Sequence, residues 1–532
     1  MTRWLPVLTF LFSAAVLVGH NLYIQPWTLD DAYISFRYVE NWVLGHGPVF
    51  NPGEYVEGYT TFLWVALLSL GHWAGLPIEP LAKWLAMAFA LGTLLLLSLS
   101  HRIAPKLDAR ASALATFMTG TCGIFTAWVM SGMEVALVAF WVTLAVLLHL
   151  RAREISPTPE GEEAAPRKLW STMGCSVACV LATMSRPEAV LVFLVLFCDR
   201  LILSIKRRDM EFFVFGLVFS AIYLPYFAVR FWYYGQFLPN TFYAKVGDTA
   251  EQVVRGWNYT RRFFASGLTV TAAGYAGVMV AGGLYRRSGG LLAVAALLLV
   301  HTVYVVLVGG DVMPAYRFFS GMLPLFALLG AHVLAPHVER GPALLLACAL
   351  ILSFNLFQMR FDNEIYDRVI NGNVGKKGKE VGLWLKGVVP PDTVIATNTA
   401  GSIPFFSKLP TIDTLGLNDE TIARRHVPNM GKGSPGHEKG DGAYVLSRKP
   451  DIVQFGSAGG NSKPAFLGDQ ELFALPAFRE QYVLRTYQIP GGSGVTFYVR
   501  RDREAALGLP VPPTVSADKL KPTKRPLADA VK

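Results

Sequence analysis

Residues 30–64 read DDAYISFRYVENWVLGHGPVFNPGEYVEGYTTFLW, and this charged, aromatic-rich stretch lies between two apolar ones. Before it, residues 4–24 run for about the ~20 residues that a helix needs to cross a bilayer. After it comes TTFLWVALLSLGHWAGL, residues 60–76. Residues 30–45 have the pattern of a helix that opens on two carboxylates, with Asp30 as its N-cap. Gly45 can end that helix in the left-handed conformation. At helical spacing Asp30, Arg37 and Asn41 share one side.

Working outward, further apolar runs lie near 80–100, 111–129, 133–150, 169–184, 188–205, 211–230, 263–284, 289–308, 319–337 and 341–359, which with the first predicts about eleven spans. The 532 residues are 52% hydrophobic and only 16% charged, against about 25% charged in soluble domains. That excludes an ordinary soluble protein and a disordered one. An excess of 48 Lys and Arg over 38 Asp and Glu marks cytoplasmic loops rather than nucleic-acid binding. Arg102, Lys106 and Arg110, then Arg151, Arg153, Arg167 and Lys168, then Lys206, Arg207 and Arg208, then Arg286 and Arg287, and finally Arg340 all fall inside if the N-terminus is in and the C-terminus out. This assignment requires 60–76 to lie at the outer surface instead of crossing. Lys245, Arg255, Arg261 and Arg262 are the exception, since they sit in an outer loop. The first run follows Arg3 and lacks a small-x-small cleavage site, so a retained anchor is expected. The five cysteines fall in apolar stretches and read as small hydrophobes.

The expected organisation is a polytopic α-helical membrane domain over 1–360, with a first outer loop at 25–79. An extracytoplasmic α/β domain follows over 361–505, where polar helices alternate with short strands near 393–397, 451–455, 482–488 and 495–500. Residues 506–532, rich in Pro and Lys, read as a disordered tail.

Nearly every ionisable group at a membrane boundary that is not a cytoplasmic anchor falls on the outer side, where such groups are costly and functional by default. Asp30 and Asp31 are the candidate bases. The helix dipole favours their ionised form, each raises the other's pKa, and an ionised carboxylate can take a proton from a hydroxyl group. Capping and solvation explain the pair equally well. Arg37, Arg186, Lys245 and Arg317 are candidate ligands for a donor phosphate, arginine because its fork binds two oxygens. Glu54, Glu57, Glu134, Glu188 and Asp311 are candidates for holding acceptor or sugar hydroxyls. Glu54 and Glu57 are also an option for a divalent cation, although no spacing demands a metal. No P-loop, GxGxxG, HExxH or GxSxG is present, and a lipid-linked phosphate donor fits this setting better than a nucleotide.

On these residues the chain resembles the GT-C-fold glycosyltransferases that use polyprenyl-phosphate sugars. It is most similar to the terminal β-(1→2)-arabinofuranosyltransferase family of mycobacteria and corynebacteria. The resemblance rests on the 30–64 stretch, then on SGME at 131–134, RPE at 186–188, LPNTFYAK at 238–245 and GGD with Arg317 at 309–317. Farther on it includes AGSIPFF at 400–406, TIDTLGL at 411–417 and GHEK at 436–439, and it covers most of residues 20–500. It implies a polyprenyl-phosphate-linked donor, an envelope glycan or glycoprotein acceptor, and an inverting transfer in which Asp30 or Asp31 acts as base. One departure stands out. VMPAYR follows GGD where the arabinofuranosyltransferases carry a histidine, so arabinofuranose is the expected sugar without being fixed. The rival classes are a transporter or flippase for a lipid-linked sugar and an inactive assembly protein of the same fold. Transporters place charge near the bilayer midplane, where these runs have little.

Overall fold

The computed structural model describes residues 4–24, 27–155, 164–247, 249–266, 289–361, 368–369, 372, 374–428, 430–491 and 494–510. The apolar runs fold into a helical bundle. Among the described residues, six helices are long and apolar enough to cross a bilayer: Leu5–Ile24, Ile78–Ser98, Val135–Glu154, Glu211–Tyr234, Gly290–Leu307 and Gly341–Phe361. Ala109–Thr121 and Gly123–Val129 pass the same test as a pair and meet at 62°, because Cys122 between them is extended (φ −72°, ψ 116°).

The described residues thus supply six or seven such helices where the apolar runs alone suggest about eleven. Ala164–Ser185 and Val190–Arg207 are 22 and 18 residues long, but charge interrupts the second. Its Asp199 meets His149 and Arg153, and its Arg200 meets Glu211. Leu323–Leu334 has only 12 residues, and the run at 263–284 lies outside the described residues from 267 on. The awkward run at 60–76 forms a 12-residue helix, Phe62–Trp73. At 1.5 Å per residue it is about 18 Å long, too short for a ~30 Å hydrocarbon core.

Beyond Phe361 the chain forms a five-stranded sheet in the order β2-β1-β3-β5-β4. Its strands are β1 Ile395–Thr397, β2 Thr411–Asp413, β3 Ile452–Gln454, β4 Tyr482–Gln488 and β5 Gly494–Arg500. β1 pairs parallel with β2 and β3, and β5 pairs antiparallel with β3 and β4. Alternate residues face opposite sides of a strand, so the sheet has two cores. Ile395, Ile452, Phe497 and Val499 pack under the Val374–Val388 helix. Ala396, Val453 and Tyr498 pack on the other face with Phe478 and Leu472. The α/β alternation expected over 361–505 is therefore present. The tail expected to be disordered lies outside the described residues from 511 on.

Candidate functional site

The helix Asp30–Val43 has Leu29 as its N-cap, so Asp30 is the first residue of the first turn and not the cap expected from sequence. Its start is fixed by its neighbours. Leu29 N donates to Ser131 O at 3.1 Å, and Thr28 Oγ1 and Tyr33 Oη donate to Glu79 Oε1 at 2.7 and 3.0 Å. The two carboxylates then part. Successive helix residues point about 100° apart, and Asp30 turns toward the sheet domain. There it accepts from Gly401 N at 3.2 Å, Ser402 N at 2.9 Å and Ser402 Oγ. Gly401 is required by this approach, since a Cβ would lie 1.9 Å from the Asp30 carbonyl oxygen. Burial pushes the Asp30 carboxyl up to about 6, against the pull of the Ser402 and Gly401 hydrogen bonds.

This shift carries a sign. The native state holds the Asp30 proton to about pH 6 while an unfolded chain releases it near 3.8. Asp30 therefore contributes stability that is lost as pH rises from about 4 to about 6. Asp30→Asn is expected to flatten that limb of a plot of Tm against pH, measured on both proteins in detergent.

Asp31 turns instead into a cleft that opens to solvent. Four separate stretches of chain among its walls bring Asp31 together with Arg186, Glu188, Lys245, Asp311 and Arg317. Arg186 bonds Glu188 at 2.6 Å and Glu134 at 3.2 Å, and Arg317 meets Asp311 at 2.7 Å. Among the described residues, Lys245 makes one ion pair, with Asp31 at 4.0 Å, and is the least committed of the three cations. Burial draws its ammonium down from the ordinary lysine value. Burial opposes the ionised Asp311, yet Arg317, Lys245 and Arg186 hold its carboxyl below the usual range. The loop that delivers Asp311 and Arg317 is contorted. Gly309 and Gly310 have φ of 85° and 68°, and Ala315 and Tyr316 reach 48° and 46°. Left-handed backbone at non-glycine residues is strained and held only by its surroundings; Trp128 Nε1 donates to Ala315 O at 2.8 Å.

The remaining candidates lie elsewhere. Arg37, expected to meet a donor phosphate, is buried and spends its guanidinium inside the protein. It donates to Phe50 O at 2.6 Å, Pro404 O at 2.7 Å, and Asn51 Oδ1 and Leu409 O at 2.9 Å each. It clamps Phe50 and Asn51 to the sheet domain and takes no part in lining the cleft. Glu54 is at the surface with Arg448, 3.1 Å away. Glu57 is 4% exposed and doubly bonded by Arg230, at 3.0 and 2.5 Å, so it is committed to a structural pair. Glu134 adjoins the cleft through Arg186. Among the described residues no three His, Cys, Asp or Glu side chains gather as a metal site.

Sequence reading passed over His301 and Tyr304. Both lie in an apolar run, on the Gly289–Leu307 helix, and line the charged region. A histidine three residues before a tyrosine, near the end of a run leading into GGD, was the available signal. Pro435 also lines the cleft, and Gly436 packs so closely on Lys245 that a Cβ there would lie 3.1 Å from Lys245 Cε. The sheet domain therefore closes one side of the site.

A helical membrane bundle with a C-terminal α/β domain and a charged cleft between them defines a class, that of the GT-C fold. ArnT from Cupriavidus metallidurans in the apo state superposes with a TM-score of 0.57 at 12% identity, covering 95% of this chain and 99% of ArnT. The same protein bound to undecaprenyl phosphate gives 0.52 at 13% identity, over 77% and 86%. In sequence, the chain is similar to terminal β-(1→2)-arabinofuranosyltransferases. That of Corynebacterium glutamicum is 30% identical over 403 residues, covering 65% of this chain and 54% of the relative. That of Mycobacterium tuberculosis is 32% identical over 274 residues, covering 47% and 40%. The chain thus spans about half the length of the curated relatives it matches. Residues 364–498 match a domain of unknown function (DUF8728).

Proposed function

We propose that this protein is an integral membrane glycosyltransferase that moves a sugar, arabinofuranose in the first instance, from a polyprenyl-phosphate donor to an envelope glycan or glycoprotein. The observation that carries this reading is the placing of Asp31 beside Lys245 in a cleft walled by Arg186 and Arg317. The named activity of the similar proteins and the undecaprenyl phosphate bound by ArnT support it. In this reading Asp31 takes the proton from the acceptor hydroxyl, whose oxygen attacks the anomeric carbon as the bond to the lipid phosphate breaks. The departing phosphate is stabilised by fixed positive groups. Lys245 is free to bind it directly, while Arg186 and Arg317 are oriented by their carboxylates. The site and the sheet domain face outward from a bacterial cytoplasmic membrane, the orientation the basic loops favour.

The test is transfer of labelled sugar from a synthetic polyprenyl-phosphate donor by the purified full-length chain in proteoliposomes. Lipid movement without transfer would instead mark a flippase, and neither would mark a binding protein. Lys245→Ala is expected to raise the donor KM about tenfold or more, as a lost hydrogen bond to a charged group implies. A divalent cation has little to bind here. Glu134, Glu188 and Asp311 are each paired with an arginine, and the Lys245 ammonium occupies the place beside Asp31. Transfer is therefore expected to survive EDTA; loss restored by Mg²⁺ or Mn²⁺ would put an ion at Asp31.

A further inference from the structure

The helix Ala250–Ser266 lies along the end of the helical bundle, with Gln252, Gly256, Tyr259, Thr260 and Phe263 buried. That side meets the last residues of long apolar helices and the connection between them. Gln252 Nε2 donates to Leu307 O at 3.0 Å, at the end of Gly289–Leu307. In the connection that follows, Tyr316 and Phe319 pack on Tyr259 and Phe263, with ring centres 5.6 and 4.0 Å apart. Gln358, in the last turn of Gly341–Phe361, donates to Ser266 O. Gly290–Leu307 and Gly341–Phe361 are both long and apolar enough to cross a bilayer. A helix seated on their C-terminal ends therefore lies where a bilayer meets water.

The opposite side is exposed and mixes two kinds of residue. At about 100° per residue, Val253, Val254, Trp257, Asn258, Arg261 and Arg262 share one half of the helix circumference, and all six are exposed. Val254 and Trp257 are each 59% exposed, too much for a helix packed against protein. No acid stands among the six; Glu251, at the start of the helix, faces Lys432 at 3.9 Å. Arg255, at the edge, is bonded to Gly309 O and Glu438, whereas Arg261 and Arg262 make no ion pair or hydrogen bond among the described residues.

Surrounded by water, this face would leave a tryptophan and two valines unburied. Surrounded by hydrocarbon, it would hold two arginines at high cost. Only the headgroup level suits both, because indole rings settle there and guanidinium groups bind phosphate oxygens in pairs. The two uncompensated positive charges select a headgroup with net negative charge.

We propose that this face docks on anionic phospholipid headgroups, with Val253, Val254 and Trp257 entering the interface and Arg261 and Arg262 taking the lipid phosphates. The interaction is independent of sugar transfer and is measured as lipid binding.

The test uses the full-length protein in phosphatidylcholine nanodiscs, with phosphatidylglycerol or phosphatidylcholine brominated on its acyl chains added at rising mole fraction. Bromine quenches nearby indoles, and the difference between the wild type and Trp257→Phe isolates the Trp257 signal. Each arginine is expected to favour the anionic lipid about fivefold, so its affinity relative to the zwitterionic lipid should be about 10- to 30-fold. The ratio is expected to fall below about threefold in the Arg261→Gln, Arg262→Gln double variant, and to shrink when salt is raised about tenfold. Equal quenching by the two lipids in the wild type overturns the inference. So does a Trp257 that neither lipid quenches, the result expected of a face in water or under an acidic protein partner. A preference unchanged in the double variant overturns it as well, since the anionic lipid would then be held by other residues. Should the double variant fail to fold, the wild-type comparison of the two lipids decides alone.

Discussion

Replacing Asp31 by asparagine is expected to cut kcat for sugar transfer by about 10²–10⁴-fold, the range that a positioned general base contributes. Donor binding should change little, because asparagine keeps the shape and Lys245, Arg186 and Arg317 remain in the cleft. The neighbouring Asp30→Asn exchange is expected to cost less than about tenfold, below what loss of a general base would cost. Its carboxylate is occupied by Gly401 and Ser402 and is not open to an acceptor. The two variants form a paired measurement, with kcat and KM for each in proteoliposomes. An active Asp31→Asn protein beside an inactive Asp30→Asn one would reverse the assignment and make the sheet domain's hold on Asp30 part of the chemistry.

The contrast between these adjacent residues shows what the sequence could and could not reveal. Helical spacing put Asp30, Arg37 and Asn41 on one side, and the structure keeps Asp30 and Arg37 together, facing residues 401–409 of the sheet domain. That side is the docking face. Asp31, about 100° around the helix, faces the cleft. Which side was which depended on Ser402, 372 residues away, and no local pattern encodes such a partner. The candidates in SGME, RPE, LPNTFYAK and GGD were legible because ionisable groups stand out at the ends of apolar runs. Glu57 stood out for the same reason, but its meaning lay in Arg230, which the apolar run 211–230 concealed. His301 was hidden in a similar run. Four of the five strands were readable as short apolar runs, although β1 and β3 are buried at all three positions; β2, Thr411–Asp413, was not. The number of spans was less readable. Apolarity alone does not distinguish a bent pair at Cys122 or a 12-residue helix from a full crossing.

Arg230→Ala is expected to lower stability by about 3–5 kcal/mol at pH 8.5, the usual cost of removing one partner from a buried ion pair. Arg230 is 8% exposed and its guanidinium also donates to Gln236 O and Phe237 O at 3.1 and 2.9 Å. Removing it leaves the Glu57 carboxylate in a dry setting with no counter-charge. Burial already pushes the Glu57 carboxyl up to about 7, with Arg230 pulling it down; without Arg230 it rises further. A carboxyl raised in the native state binds protons that the unfolded chain has released, so the variant's deficit shrinks as pH falls. The loss at pH 6 is therefore expected to be clearly smaller than at pH 8.5, as read from Tm in nanodiscs at both values. Replacing both residues by methionine should recover much of the stability, because an apolar pair of similar size carries no desolvation cost. Activity should not follow stability in the single variant. Glu57 O accepts from Asn240 N at 2.9 Å, at the start of the short helix that ends in Lys245. A shifted Glu57 would move the cation that faces the phosphate, and a raised donor KM at pH 6, where the fold is largely restored, would show it. An equal stability loss at both pH values would mean that packing of the arginine stem, and not the stranded charge, sets the cost.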